Sequence, residues 1–162
     1  MRISRLTDPK LKRAAAALLA ASDPWLKLGL TSANCLKTLN APFRETYVTT
    51  ARGQLSGLVT ITMYGTFKGY IQLLFVAESA RGTGLGGKLM AFAEEKIFAR
   101  SPNVFLCVSS FNKGAIFFYR QLGYKKAGLL EDFLIKGCDE LLMRKTKGPL
   151  KDFRQKGNNE RR

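Results

Sequence analysis

Residues 81–89 read RGTGLGGKL, and their spacing fits three anion-binding loops at once. Gly82, Gly84 and Gly87 give the dinucleotide pattern GxGxxG. Gly82, Gly87 and Lys88 give most of a P-loop, GxxxxGK, while Arg81, Gly84 and Gly86 give RxxGxG. The chemistry behind all three is shared. Glycines let backbone N–H groups approach an anion, and the helix that follows adds the positive end of its dipole. A tight strand-to-helix turn alone needs one or two glycines, whereas here positions 82, 84, 86 and 87 all carry one. A dinucleotide loop also needs an acidic residue about 20 positions on to hold a ribose. Counting on from Gly87 ends in LCVSS, which has no Asp or Glu. A P-loop needs Ser or Thr after its lysine to hold Mg²⁺, and Leu89 stands there. The RxxGxG reading is left.

Absent residues narrow the chemistry further. The chain has no histidine, which removes Ser-His-Asp and Cys-His catalysis and the commonest metal ligand. Its three cysteines, Cys35, Cys107 and Cys138, form no CxxC pair and no disulfide framework. Any chemistry must therefore run on carboxylates, Tyr, Lys, Ser, backbone dipoles or a bound cofactor.

The elements that must position the loop follow from periodicity. Asp8-Pro9 reads as an N-cap with proline at the first helical position, and Leu11, Ala14, Ala15, Leu18 and Leu19 repeat at helical spacing to about residue 21. This helix argues against a secretory leader, although the basic start and the Ala/Leu run loosely mimic one. With the scattered cysteines, it makes the cytoplasm the expected compartment. A shorter helix is expected over 31–39, after a loop containing Trp25. Residues 45–79 read as three strands, with Val59, Ile61 and Met63 alternating with Thr60 and Thr62 as in a half-buried antiparallel strand. YIQLLFVA is more continuously apolar and reads as a central strand. The glycine loop then opens a helix over 84–99, with Leu85, Leu89, Phe92, Ala93 and Ile97 on one face. NVFLCVS is a strand, Asn112 caps a helix running to Leu122, and Gly123 stops it. Two further strands turning at Lys136-Gly137 complete one α/β domain over residues 1–147, and 148–162 reads as a basic tail.

A second motif accompanies the loop. One helix and one strand after RxxGxG comes NKGAIFFYRQLGY, residues 112–124. Together the two blocks resemble the GNAT family of acetyl-CoA-dependent N-acetyltransferases, whose second block has the form NxxAxxFYxxxGY. The resemblance spans roughly residues 45–145. It implies the acyl-CoA N-acyltransferase fold: a single domain with a mixed, mostly antiparallel sheet, splayed at its centre and flanked by helices. The pantetheine arm would lie in the gap, and acetyl-CoA would be the cosubstrate, with no metal. Arg81, Gly82, Thr83, Gly84, Leu85 and Gly86 would hold the diphosphate, largely through backbone amides. Lys88, Lys113 and Arg120 would screen the adenosine phosphates.

The same resemblance implies transfer of an acetyl group to a primary amine by direct attack. The acceptor could be a small amine, an amino acid or a peptide. Tyr119 matches the tyrosine that serves many relatives as proton donor to the CoA sulfur. Core packing is the alternative, since Ala115, Phe118, Tyr119 and Leu122 share a helical face. Asn112 has two credible tasks, capping its helix and contacting pantetheine. The backbone N–H near Val76 would meet the thioester carbonyl. Many relatives carry a proline two positions beyond, where this chain has Glu78, either at the substrate mouth or simply solvated. No general base stands out. Gln72 occupies a position where some relatives carry glutamate, and Glu45, Glu78, Glu131, Asp132 or an ordered water are alternatives. Cys107 reads as an inert buried thiol. Acceptor selectivity should lie in the Trp25 loop, the short second helix and the final hairpin.

The formal charge is +15, and the tail from Thr146 contributes six Lys/Arg against two acids, or +4, which leaves +11 on the body. Such a surface favours polyanionic ligands or acidic partners. An alternative reading is thus a non-catalytic acyl-CoA-binding protein or a basic module docking on RNA or ribosomes. Nucleic acid is supported by charge alone, since no RNP aromatic pattern or GXXG clamp is present. No apolar run reaches the roughly 18 residues needed to cross a membrane.

Overall fold

Asp8, Thr31 and Asn112 each begin a helix by the same device, a side-chain oxygen that accepts an otherwise unpaired first-turn N–H. Asp8 accepts from Lys10 at 2.8 Å and starts α1, Pro9–Ala20. Thr31 and Asn34 cap each other reciprocally at the head of α2, Ser32–Asn40. Asn112 accepts from Ala115 at 3.2 Å and starts α4, Lys113–Gln121. The remaining helix, α3, spans Leu85–Phe98 and has no side-chain cap. These elements come from a computed structural model that describes residues 2–153. The tail from residue 154 onward lies outside the described residues.

The strands are β1 Ser4–Arg5, β2 Arg44–Ala51, β3 Gln54–Thr62, β4 Tyr70–Val76, β5 Asn103–Ser109, β6 Lys125–Ile135 and β7 Cys138–Thr146. They form one sheet in the order β1-β2-β3-β4-β5-β7-β6. Every adjacent pair is antiparallel except β4 and β5, which run parallel. The expected mixed, mostly antiparallel sheet flanked by helices is therefore what the chain forms. β1 was not anticipated, because a two-residue strand is too short to show a period.

Apolar side chains cover both faces of the sheet. On one side α3 and α4 bury Leu89, Met90, Ile97 and Tyr119 against Val59, Ile61, Val104 and Leu106. On the other, Ala15, Ala16, Leu19 and Leu39 from α1 and α2 pack on Leu58, Leu73 and Phe75. Two expectations are corrected by this double cover. β3 is not half-exposed: Thr60 is fully buried, and its hydroxyl pairs with that of Thr46 at 2.9 Å. In α1 the buried stripe runs through Ala15, Ala16 and Leu19, while Ala14 and Leu18 face outward. An alanine-rich helix is apolar nearly all round, so hydrophobicity alone does not choose its inner face. No helix among the described residues is long and apolar enough to cross a membrane.

The sheet opens at its centre. β4 and β5 share only the pairs Tyr70↔Phe105 and Ile71↔Leu106, whereas β5 stays paired with β7 along seven positions from Asn103 to Ser109. The closed end of this V is pinned by Gly69, whose carbonyl accepts from Phe105 at 2.9 Å and whose N–H donates to Thr62 at 3.2 Å. Gly69 has φ +87°, and a Cβ there would stand 2.4 Å from the Asn103 carbonyl oxygen. Backbone cannot yield as a side-chain tip can. Gly69→Ala is expected to lose about 3 kcal/mol of stability through clash and left-handed strain together. Urea unfolding checks this, and a loss below about 1 kcal/mol would mean that the V closes without this contact.

Candidate active site

Beyond Ile71 and Leu106, the diverging strands leave polar backbone groups without a partner strand. The register shows which ones. Ala77 donates to the Ser56 carbonyl at 2.9 Å, and Gly57 pairs opposite Val76. In an antiparallel ladder, hydrogen bonding alternates every second residue. Val76 and Leu74 therefore direct their N–H and C=O groups away from β3, toward the gap. The Arg81 guanidinium Nε reaches the Val76 carbonyl at 3.4 Å, which fits that direction.

The gap is a cleft of about 1220 Å³ that passes through the sheet. One half lies at the head of α3. Gly82 and Gly84 take left-handed conformations, φ +75° and +79°, so the chain can turn sharply from a short 3₁₀ segment, Glu78–Ala80, into the helix. Among the described residues, no amide from Gly82 to Gly87 makes a well-formed hydrogen bond to a protein acceptor, and Gly84 supplies no capping side chain. A bare N-terminus of this kind has the donors and the dipole end that suit an anion. At Gly86 an added Cβ would come within 3.3 Å of the Phe118 ring, so this glycine also lets α4 approach α3.

Val76, Arg81, Gly82, Gly84, Leu85, Gly86, Asn112 and Tyr119 all line the cleft. Thr83 does not: its hydroxyl donates to the Ala80 carbonyl at 2.7 Å, and the residue borders a separate small hollow with Lys88. Of the basic candidates, Lys113 lines the cleft, while Lys88 and Arg120 do not. Asn112 spends its side-chain oxygen on the helix cap. Tyr119 is 9% exposed, with its ring against Phe118 and Tyr124. Its hydroxyl has no hydrogen-bond partner among the described residues, and burial pushes its pKa well above the ordinary phenol value.

The carboxylates weighed as bases are dispersed. Glu45 lies outside the cleft, where it accepts from Tyr47 at 2.6 Å and from Arg100 at 3.2 Å, with Arg5 at 3.9 Å. Burial alone would raise its pKa, but these hydrogen bonds and charges outweigh burial and hold it below the ordinary range. Glu78 and Glu131 are exposed and do not line the cleft. Asp132 holds the β6–β7 turn, accepting from Gly137 at 2.5 Å. Gln72 does line the cleft, as an amide that cannot take a proton. Cys107 is there too, and burial raises its pKa despite a hydrogen bond from Tyr70.

The residue that sequence reasoning missed is Glu140. It sits on β7 opposite Ser109, lines the cleft and is 3% exposed. Ser109 donates its hydroxyl to Glu140 Oε1. Burial raises the carboxyl pKa, and the Ser109 hydrogen bond partly offsets that. Within DELLMRK it reads as one acid of an ordinary edge. Only the β5–β7 pairing reveals it, because Ser109 and Glu140 then face the same side of the sheet.

This geometry has counterparts. Residues 14–124 match the family model described as the acetyltransferase (GNAT) family. The chain is 28% identical over 153 residues to the N-alpha-acetyltransferase RimI of Mycobacterium tuberculosis, covering 90% of this chain and 92% of that protein. Among solved structures, aminoglycoside 6'-acetyltransferase type Ii superposes with a TM-score of 0.75 at 25% identity, covering 92% and 99% of the two chains. An aminoglycoside 6'-N-acetyltransferase complexed with coenzyme A gives a TM-score of 0.72 at 22% identity, covering 92% and 98%. A family match across most of the domain, together with the splayed sheet and the bare α3 terminus, makes this chain a member of the GNAT family of N-acetyltransferases.

Proposed function

We propose that the cleft binds acetyl-CoA and passes its acetyl group to a primary amine by direct attack on the thioester. The observation that carries this reading is one cleft lined by the glycine turn at the head of α3, by the Val76 edge of β4 that no strand covers, and by Tyr119. The diphosphate would lie on the amides from Gly82 to Gly87, with Arg81 beside it. Thr83 would contribute its N–H alone, since its hydroxyl is already bonded. The pantetheine amides would complete the β4 edge as an added strand would, and the acetyl carbonyl would accept from Val76. An oxyanion forming there meets a donor already fixed in place, which lowers the barrier without reorganisation.

Tyr119 is assigned to the sulfur. Burial leaves this phenol a weaker acid than a thiol of ordinary pKa near 8.5, so it keeps its proton and donates a hydrogen bond to the charge developing on the leaving thiolate. The helix cap and the ring contacts fix its direction.

Acetyl-CoA at about 100 times its dissociation constant should add about 2.7 kcal/mol, raising Tm by roughly 5–10 °C. Absence of any shift would remove the cosubstrate assignment. Gly84→Ala forces a left-handed alanine, costs about 1–2 kcal/mol in place and should weaken acetyl-CoA binding at least roughly tenfold in calorimetry. Tyr119→Phe should keep acetyl-CoA affinity and lower kcat by roughly 10²- to 10³-fold. Unchanged turnover in that variant would assign Tyr119 to packing.

A further inference from the structure

The half of the cleft on the α1–α2 face has a lining unlike the phosphate-binding half. Cys107, Ser109 and Glu140 point to this side, because Leu106 and Val108 on alternate positions belong to the α3–α4 core. Trp25, Leu28, Phe111, Phe133 and Leu134 supply apolar walls. Two acids border this half, Asp23 and Glu140. Asp23 is already neutralised by Lys27 at 3.0 Å, and that ammonium lies 5.7 Å from the Phe111 ring. Among the described residues Glu140 has no basic partner. The acceptor half thus combines these apolar walls with a polar floor that includes Asn34, Thr38 and Gln72, and holds one carboxylate without a basic partner among the described residues.

We infer that Glu140 receives the acceptor's ammonium group and takes its proton, and that the acceptor is a single primary amine carried on an apolar or aromatic body. This rests on the acetyltransfer reading above. The geometry accounts for both parts. A buried carboxylate without a cation attracts one ammonium group strongly, and the apolar walls reward a hydrocarbon body at about 25 cal/mol per Å². A second or third ammonium group would find no further free carboxylate in the cleft lining, since Asp23 is already paired with Lys27. Proton bookkeeping closes. One ammonium N–H breaks as a Glu140 O–H forms, and the freed lone pair makes the C–N bond while the C–S bond breaks. The nitrogen's surplus proton ends on the CoA sulfur, and the Glu140 proton passes to solvent. A raised carboxyl pKa suits the task, because a more basic carboxylate is the better acceptor near neutral pH. The groups facing it are Ser109 and Cys107 from β5, Tyr70 from β4 and Cys138 on its own strand.

The test uses the full chain with acetyl-CoA and reads free CoA thiol. Its acceptors are phenethylamine, a tripeptide with N-terminal phenylalanine, spermidine and the aminoglycoside kanamycin. The two apolar amines should exceed the two polycations at least tenfold in kcat/KM, and the ratio between them separates a small-molecule from a peptide source. Transfer confined to polycations, or absent from both apolar amines, overturns the substrate class. Glu140→Gln should lower kcat/KM by roughly 10²- to 10⁴-fold with acetyl-CoA affinity and Tm retained, and should abolish the acidic limb of the pH profile. Ser109→Ala gives a second readout. Without that hydroxyl the carboxyl stays protonated to higher pH, so the acidic limb should move upward. Unaltered rates in Glu140→Gln, or an unmoved limb in Ser109→Ala, would refute the role. Loss of acetyl-CoA binding in the wild-type chain would sink the parent reading instead, which keeps the two failures apart.

Discussion

Two parallel strands that meet at two residues and then part are the constraint on which the rest of this molecule depends. A paired β4–β5 ladder would satisfy the backbone of both strands and leave nothing to bind with. The opening instead presents polar groups at Val76 and Leu74 to a cleft, where leaving them unpaired would cost on the order of 1–3 kcal/mol each if water were also excluded. A ligand with regularly spaced amides relieves that cost, and a pantetheine arm has them. On the proposed reading, binding and fold would thus be linked through the backbone groups that no strand covers.

The opening persists because neither wing is free to close it. β5 is held over its whole length by β7, and β4 is held by β3 through a ladder interrupted once near Thr60. At the apex, Ser101 donates to the Lys68 carbonyl at 3.3 Å and Gly69 pairs with Phe105, so the strands are joined where they meet. Helices pack on both faces, and α3 starts directly below the gap with its first turn uncapped. The uncapped terminus and the open strand edge therefore share one cavity, so on the proposed reading the sheet would set the distance from a held diphosphate to its thioester.

Much of this was legible in the sequence, for identifiable reasons. Gly82 and Gly84 announce a left-handed turn that few other residues tolerate. Asp8-Pro9, Asn112 and Gly123 announce helix ends, and Gly123 does close α4, with φ +88° and a Tyr124-to-Tyr119 hydrogen bond at 3.0 Å. Each is a local signal, decided within a few residues. What stayed hidden is long-range. Thr60 looks solvent-facing until a second helical layer covers its side of β3. Glu140 looks like a surface acid until strand pairing sets it against Ser109, 31 residues away. Thr83 sits inside the motif, yet its hydroxyl bonds Ala80 and its side chain leaves the cleft. A motif marks which backbone turns, and says less about which side chains point inward.

Charge ties the two halves of the cleft together. The chain carries +15, a field that concentrates an anionic cosubstrate near the surface and discourages polycations. That field is smooth and is screened over about 8 Å at physiological ionic strength. A buried carboxylate acts within hydrogen-bond reach and is screened far less. On the proposed reading, a monoamine on an apolar body would cross the field with one charge, meet Glu140 inside and be desolvated by the surrounding rings. A polycation would cross it with several charges, only one of which would find a free carboxylate. On the proposed reading, the excess of basic residues would thus act on the two reactants in opposite ways: it would attract the thioester by its phosphates and disfavour amines that carry several charges.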